Sequence, residues 1–256
     1  MSNYFHRPND IVAPYVQSML VIDDYKIKVP FIMPLYANGA PTLLFQSCKA
    51  TLQNQRTSHL TLFGQTVAPD KIALEGDFTL IAYFFKPYAL YTLFGLEAKE
   101  LTDKPIDLGL LFPTQSRELT EQMLNASSSI EMLSVLDEFV EKLIVRQKKI
   151  ESALSYAALK INRENALVSL PDLQKELCIT ERTFQRMFEN KIGVPPATYK
   201  RVCQFDAAFQ RLRKKQFNKL SDLAYDHGYA DQSHYIRTFK TFTGITPKEY
   251  LNYPGD

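Results

Sequence analysis

Short apolar runs punctuate the first hundred residues. Tyr15 to Ile22, Pro41 to Phe45, Leu60 to Phe63 and Thr79 to Phe85 are rich in Val, Ile, Thr, Tyr and Phe. Turn-forming stretches separate them, among them Asn38-Gly39, Ala68-Pro69-Asp70 and Glu75-Gly76-Asp77. That spacing predicts a small β sandwich or barrel. The texture changes at Pro87, a strand-to-helix boundary, after which Tyr88 to Leu93 reads as a short helix closed by Gly95. Residues 116–150 read as helical. Ile130, Leu133, Leu136, Phe139, Val140, Leu143 and Ile144 recur there at three- and four-residue steps, one apolar stripe on an amphipathic helix. The stripe has two readings: packing onto the β domain, or a dimer seam through Leu133, Leu136, Val140 and Leu143. Arg146, Lys148 and Lys149 at the end of that helix complement its dipole. A domain boundary is expected near residue 150.

The C-terminal half contains a diverged internal duplication. Ser169 to Tyr199 laid on Lys219 to Tyr250 matches Asp172 and Leu173 with Asp222 and Leu223, a separation of 50. Phe188, Gly193, Pro196 and Tyr199 match Phe239, Gly244, Pro247 and Tyr250 at a separation of 51, so one residue has been inserted between the two sets. Each unit decodes as helix, tight turn, helix. In the first, Ser169 caps a helix with Leu170, Leu173 and Leu177 on one face, Cys178-Ile179 makes the turn, and Thr180 caps a second helix that buries Phe184, Met187 and Phe188. In the second, Leu220, Leu223 and Ala224 face inward, Gly228 permits a sharp turn, and Tyr235, Phe239 and Phe242 fix the following helix. Between the units, Ala197 to Lys215 reads as one long helix with Tyr199, Val202, Cys203, Phe205, Ala208, Phe209 and Leu212 as its apolar positions.

The outward faces of the two second helices are polar and cationic. The first holds Glu181, Arg182, Gln185 and Arg186; the second holds Gln232, Ser233, His234, Arg237 and Lys240. A major groove admits one α-helix, and Arg and Gln pair bidentately with guanine and adenine edges, so these faces are candidate DNA readers. The stretch Gly228 to Lys240, followed by Gly244-Ile245-Thr246-Pro247-Lys248-Glu249-Tyr250, resembles the signature of the AraC/XylS family of bacterial transcription regulators. Ala230 and Leu251 depart from it, standing where serine and arginine are common. The resemblance covers roughly residues 150–253 and implies a linker helix that holds two recognition helices apart. A rigid rod suits successive major-groove entries, about 34 Å apart on one face of B-DNA. Arg211, Arg213, Lys214 and Lys215 close that helix, as phosphate contacts or as helix-end charge.

Family members commonly carry an N-terminal sensing or dimerising β domain. The segment Phe78 to Leu108, through Phe85, Pro87, Leu93, Phe94, Gly95, Glu100, Leu101, Thr102 and Asp103, resembles the end of a cupin-like version. The expected architecture is therefore α+β with two domains. Residues 1–150 form a mainly-β, cupin-like sandwich or barrel with helices, for sensing or dimerisation, and residues 151–256 an all-α tandem helix-turn-helix. The resemblance implies double-stranded DNA as partner, a homodimer, a small-molecule effector, and RNA polymerase as a further candidate.

Composition agrees with this reading and narrows it. Of 256 residues, 45% are hydrophobic and 23% charged, an ordinary globular balance. Residues 1–150 carry 14 Lys and Arg against 16 Asp and Glu, residues 151–256 carry 16 against 12, so the net charge of +2 hides a basic C-terminal half. Cys48, Cys178 and Cys203 are far apart without metal-binding spacing and read as reduced core thiols. The first residues lack a signal-peptide apolar core and Phe78 to Phe85 is too short to span a bilayer, so a cytoplasmic protein without membrane partners is expected. Only His6 and His59 fall in the N-terminal half, and no phosphate loop, nucleophile elbow or Cys-His pair is evident. No metal, cofactor or catalysis is expected. The rival readings are a small-molecule enzyme or binding domain fused to a DNA-binding module, and a non-specific architectural DNA protein. Aromatic residues are dense here (Tyr36, Phe45, Phe63, Phe78, Tyr83, Phe84, Phe85, Tyr88, Tyr91), chiefly as core, with a few as candidate lining of an apolar effector pocket.

Overall fold

The computed structural model describes residues 2–26, 31–147 and 152–252. Its N-terminal part holds strands β1 (Ser2–His6), β2 (Val16–Tyr25), β3 (Phe31–Leu35), β4 (Thr42–Gln46), β5 (Lys49–Leu52), β6 (Gln55–Thr57), β7 (Leu60–Phe63), β8 (Asp70–Glu75), β9 (Phe78–Phe85) and β10 (Ile106–Asp107). They pair antiparallel in two sheets, one in the order β1-β2-β9-β4-β7-β10 and the other β3-β8-β5-β6. The Asn38-Gly39 turn lies between β3 and β4, which belong to different sheets, so it carries the chain across the sandwich rather than closing a hairpin.

The larger sheet is apolar on both faces. Met19, Val21, Leu43, Phe45, Ile81, Tyr83 and Phe85 face a core shared with helices, while Ile22, Leu44, Leu80 and Ala82 face Ala50, Leu52, Ile72 and Leu74 of the smaller sheet. Alternate side chains point to opposite faces, so a strand buried on both sides reads as the unbroken apolar run of β9.

Helices α1 (Ala89–Leu93), α2 (Leu108–Leu111), α3 (Pro113–Asn125) and α4 (Ser129–Val145), with a 3₁₀ turn at Ala98–Leu101, cover the outer face of the larger sheet. Ser128 caps α4, its Oγ accepting from the Glu131 amide, and the Glu131 carboxylate accepts from the Ser127 amide. The Tyr83 hydroxyl donates to Asp137 Oδ1 at 2.9 Å, pinning α4 to the sheet, and burial pushes that phenol well above its ordinary pKa. Leu133, Leu136, Phe139, Val140 and Leu143 are buried within the chain. The seam proposed through Leu133, Leu136, Val140 and Leu143 is therefore corrected: the β domain has taken that face. Ile130, read as part of the stripe, points to solvent, and Ser129 and Met132 take the inward positions. Lys148 and Lys149, and the boundary expected near residue 150, lie outside the described residues. Cys203 is a core thiol, whereas Cys48 is half-buried and Cys178 exposed, so the reading of all three as core residues fails for two.

The C-terminal part is helical: α5 (Ser152–Arg163), α6 (Leu170–Glu176), α7 (Glu181–Lys191), α8 (Pro196–Arg213), α9 (Leu220–Asp226), α10 (Gln232–Thr243) and α11 (Pro247–Leu251). No described helix is long and apolar enough to cross a membrane. The burial pattern of α4 predicts that Leu136→Ala lowers the unfolding free energy by about 2–5 kcal/mol, from the cavity it leaves. Ile130→Ala, at an exposed position, should move it by no more than about 0.5 kcal/mol, both read by urea titration.

Candidate nucleic-acid interface

Both helix-turn-helix units are built by local sequence. Ser169 caps α6 through the Asp172 amide, Thr180 caps α7 through the Thr183 amide at 3.3 Å, and Cys178 between them takes a positive φ of 54°. In the second unit Gly228 has φ 73° after α9, and Asp231 caps α10, its Oδ1 accepting from the His234 amide at 2.7 Å. Asp231 thus supplies the cap that the preceding Ala230 lacks the side chain to make. Each second helix is anchored by aromatics: Phe184 and Phe188 in α7, Tyr235, Phe239 and Phe242 in α10, all buried. Met187 is half-buried.

With those anchors inward, Glu181, Arg182, Gln185 and Arg186 are exposed on α7, and Gln232, Ser233, Arg237 and Lys240 on α10. His234 is half-buried, its ring edge-on to Tyr229 at 5.3 Å, so it is the least exposed side chain of these two faces. Gln185 Nε2 donates to Glu181 Oε1 at 3.3 Å, a bond that base contact would have to exchange. Helix α8 spans 18 residues, about 27 Å at 1.5 Å per residue, with Tyr199, Val202, Cys203, Phe205, Ala208, Phe209 and Leu212 buried. Of the cations that close it, Arg211 pairs with Asp226 at 2.8 Å and Arg213 lies 5.8 Å from the Phe5 ring of β1. Lys214 and Lys215 are exposed and remain available to phosphate. Arg201 is exposed on α8, its guanidinium 5.8 Å from the ring of Phe242 in α10.

A family model described as a helix-turn-helix domain matches residues 173–253, from within α6 through α11. The chain carries an AraC-type DNA-binding domain. A second model, described as a domain of unknown function (DUF6597), matches residues 4–107. The two-domain arrangement is shared with crystal structures of ToxT from Vibrio cholerae. The structure from strain O395 bound to (E)-4-(8-methylnaphthalen-1-yl)but-3-enoic acid has a TM-score of 0.53 at 14% identity, covering 92% of this chain and 98% of that one. The 1.65 Å resolution structure has a TM-score of 0.52 at 13% identity, with coverage of 92% and 98%. No curated protein matches the sequence.

The AraC-type domain does not stand free of the β domain. The Thr102 hydroxyl donates to the Gly193 carbonyl at 2.7 Å, just past the end of α7, and Lys191 lies 4.8 Å from the Tyr91 ring. Gly193 has φ 107°, and a Cβ there would sit 2.9 Å from the Ala98 carbonyl oxygen, closer than side chains approach. The β domain touches the linker helix too: Tyr36 lies edge-on to Phe209, and a Cβ at Gly39 would lie 3.5 Å from Tyr199 and 3.6 Å from Cys203. At the second unit, Pro69 packs beside Gly244 and Tyr36 reaches Tyr250. Three loops of the β domain, at 36–41, 64–69 and 98–105, thus form one saddle against both units of the AraC-type domain.

Two outcomes follow from this contact and from α8. Gly193→Ala forces both a strained backbone and a steric clash, and should lower the unfolding free energy by about 1–3 kcal/mol, whereas Thr102→Val should cost about 1 kcal/mol; chemical denaturation measures both. On α8, burial pushes the Asp206 carboxyl up to about 6, although Gln210 donates to it at 3.0 Å and Arg213 lies near. The folded state then holds a proton that the unfolded state, with a carboxyl near 3.9, has released. Stability should fall as pH rises from about 4 to about 6, by up to about 3 kcal/mol, and Asp206→Asn should flatten that slope in melts across pH.

Proposed function

We propose that the chain is a sequence-specific DNA-binding transcription regulator that places α7 and α10 in successive major grooves. The observation that carries the reading is the repeated build of its AraC-type domain: two capped recognition helices, each anchored by buried aromatics, with Arg and Gln left outward. In this reading Arg182, Gln185 and Arg186 on α7, and Gln232, Ser233, His234, Arg237 and Lys240 on α10, face DNA. Ser233, His234 and Arg237 read bases in the second unit. Lys214 and Lys215 meet phosphate, which adds salt-dependent affinity without sequence information.

Residues 1–150 serve as a sensing and dimerisation domain, and 151–256 as the DNA-binding domain. A ToxT structure of similar fold holds an aryl-substituted butenoic acid, which supports small-molecule control in a fold of this kind. Since the inward stripe of α4 is consumed, pairing of two copies falls to other surfaces; Leu110, Leu124 and Ile130 on α2, α3 and α4 are exposed apolar side chains there. RNA polymerase is a further candidate partner of such a regulator. The role is that of a binding protein rather than an enzyme, and its place of work is the cytoplasm.

Footprinting with purified protein upstream of its own and neighbouring genes should reveal discrete protected sites that survive moderate salt; uniform coverage overturns the reading. At such a site Arg186→Ala and Arg237→Ala should each lose about 1–3 kcal/mol and relax base choice at one or two positions. Equal loss on cognate and random DNA would mark both as phosphate contacts.

A further inference from the structure

Three consecutive residues at the turn of the second helix-turn-helix unit are each held from outside that unit. On α8, Arg211 Nη1 donates to Asp226 Oδ2 at 2.8 Å, and Gln204 Nε2 donates to the His227 carbonyl at 2.8 Å. Leu167, in the loop before α6, sets its Cδ2 over Gly228, where a Cβ would lie 2.8 Å from it. The last carbonyls of a helix lack partners within it. Here the amides of Gly228 and Tyr229 meet those of Tyr225 and Ala224, and that of His227 is left to Gln204, which caps α9 from the linker helix. A carbonyl acceptor fixes which end of the Gln204 amide faces it. Gly228, at φ 73°, is where the chain turns toward α10.

The apolar packing of the second unit holds α10 without fixing its direction. Phe205 and Phe209 of α8 lie 5.6 and 5.9 Å from the Phe239 ring, and apolar burial resists separation more than it resists sliding or rotation. The β domain reaches this unit at its far end, through Pro69 beside Gly244 and Tyr36 beside Tyr250. The candidate base readers lie at the near end. Gln232, Ser233, His234 and Arg237 fall in the first two turns of α10, directly after the held segment. Hydrogen bonds have a preferred angle as well as a length, so those from α8 set the direction in which these turns leave the linker helix. The exposed Arg211–Asp226 pair adds little energy, and the part-buried Gln204 bond adds more. Leu167 adds a link to the first unit, since Ser169, two residues on, caps α6. The lead into the first unit, α8 and the turn of the second unit thus close a triangle.

We propose that Gln204 and Leu167, assisted by Arg211, are positioning residues that set which spacing of DNA elements the two reading helices accept. The proposal rests on the regulator reading and adds to it a determinant of specificity that does not itself read bases. One base pair inserted between two major-groove elements moves the second by about 3.4 Å and turns it by about 35°. A linker that merely tethered α10 would follow that displacement at small cost. A turn held at Asp226, His227 and Gly228 has either to break these contacts or to leave the readers of one unit out of place. Discrimination against the wrong spacing then comes from the protein's own structure, as a penalty on the misfit site.

Two measurements on the full-length protein test this, one of them without DNA. Pulsed electron spin resonance reads the distance between labels on the exposed Cys178, in the turn of the first unit, and on Ser233→Cys at the start of α10, with Cys48→Ser removing the half-buried thiol. One narrow distribution is expected, broadened or displaced by Gln204→Met, which keeps the side chain's length and removes its donor, and by Leu167→Ala. In the second measurement, the wild type should bind a site with one extra base pair between the two protected elements about tenfold more weakly than the footprinted site. In both variants that ratio should shrink by about threefold or more. Leu167 is 59% exposed, so Leu167→Ala keeps the test decisive should Gln204→Met fail to fold. A distance distribution unchanged in both variants, or wild-type binding indifferent to the insertion, overturns the proposal. Equal loss on both sites leaves the ratio unchanged, assigns the two residues to stability alone, and overturns it as well. Failure of the wild type to footprint overturns the regulator reading, while the label distances still decide whether the turn is held.

Discussion

One carboxylate holds the junction of the molecule together. Asp103 Oδ1 accepts the amides of Val67 and Ala68, and its own amide donates to the Gln65 carbonyl at 3.0 Å, so two loops 35 residues apart become a single body. Hydrogen bonds to an ionised acceptor are shorter and stronger than neutral ones, and here they hold Asp103 at φ 54°, a conformation that most side chains avoid. Several of the contacts that the β domain makes with the helical domain hang from these loops. Thr102 sits one residue before the carboxylate, Pro69 one residue after Ala68, and Gly64 lies so close to the Leu101 backbone that a Cβ would fall 2.4 Å from its carbonyl oxygen.

That constraint was invisible in the sequence, and the reason is physical. The tandem helices were legible because each unit packs on itself: caps, turn and aromatic anchors lie within about thirty residues, and the 3.6-residue period marks which positions are inside. The strands β2, β4, β7 and β9 were legible as apolar runs because both faces of their sheet are covered. Strands β3, β5, β6 and β8 were not, since their sheet is short-stranded and half exposed; β6 has three residues, and β3 contains Pro34 with Ile32 facing solvent. The saddle joins Thr102 to Gly193 across 91 residues through a backbone carbonyl, and no side-chain pattern records which carbonyl will be met.

Of the candidate readers, those whose helical phase was set by buried aromatics were placed outward as expected. His234 shows the limit of that reasoning. It follows the correct phase on α10 but leans on Tyr229, an aromatic that precedes the helix and that helical periodicity does not see. Ile130 misled in the opposite sense, an apolar residue on the outward side of α4 whose inward neighbour is the small Ser129, hydrogen-bonded to Asp23 at 2.8 Å and to Tyr4 at 3.0 Å. A polar side chain held by partners can take a core position, and periodicity then reports the wrong member of the pair.

The apolar interior divides elsewhere than the chain does. One continuous cluster runs from Val12 of the β domain through α4 and on to Leu154 of α5 and to Phe184, Phe188 and Tyr199 of the first helix-turn-helix unit, whereas the second unit gathers around Phe205, Phe209, Tyr235 and Phe239 with Ala37, Tyr36 and Val67 lent from the β domain. Cooperative unfolding follows shared interior, not sequence adjacency. In the language of hydrogen exchange, α7 should be protected with the sheets and α10 should open in a separate, smaller event. Helices α7 and α10, alike in build, are thus unequal as structures: one shares the interior of the protein's body and the other lies mainly in a cluster of its own.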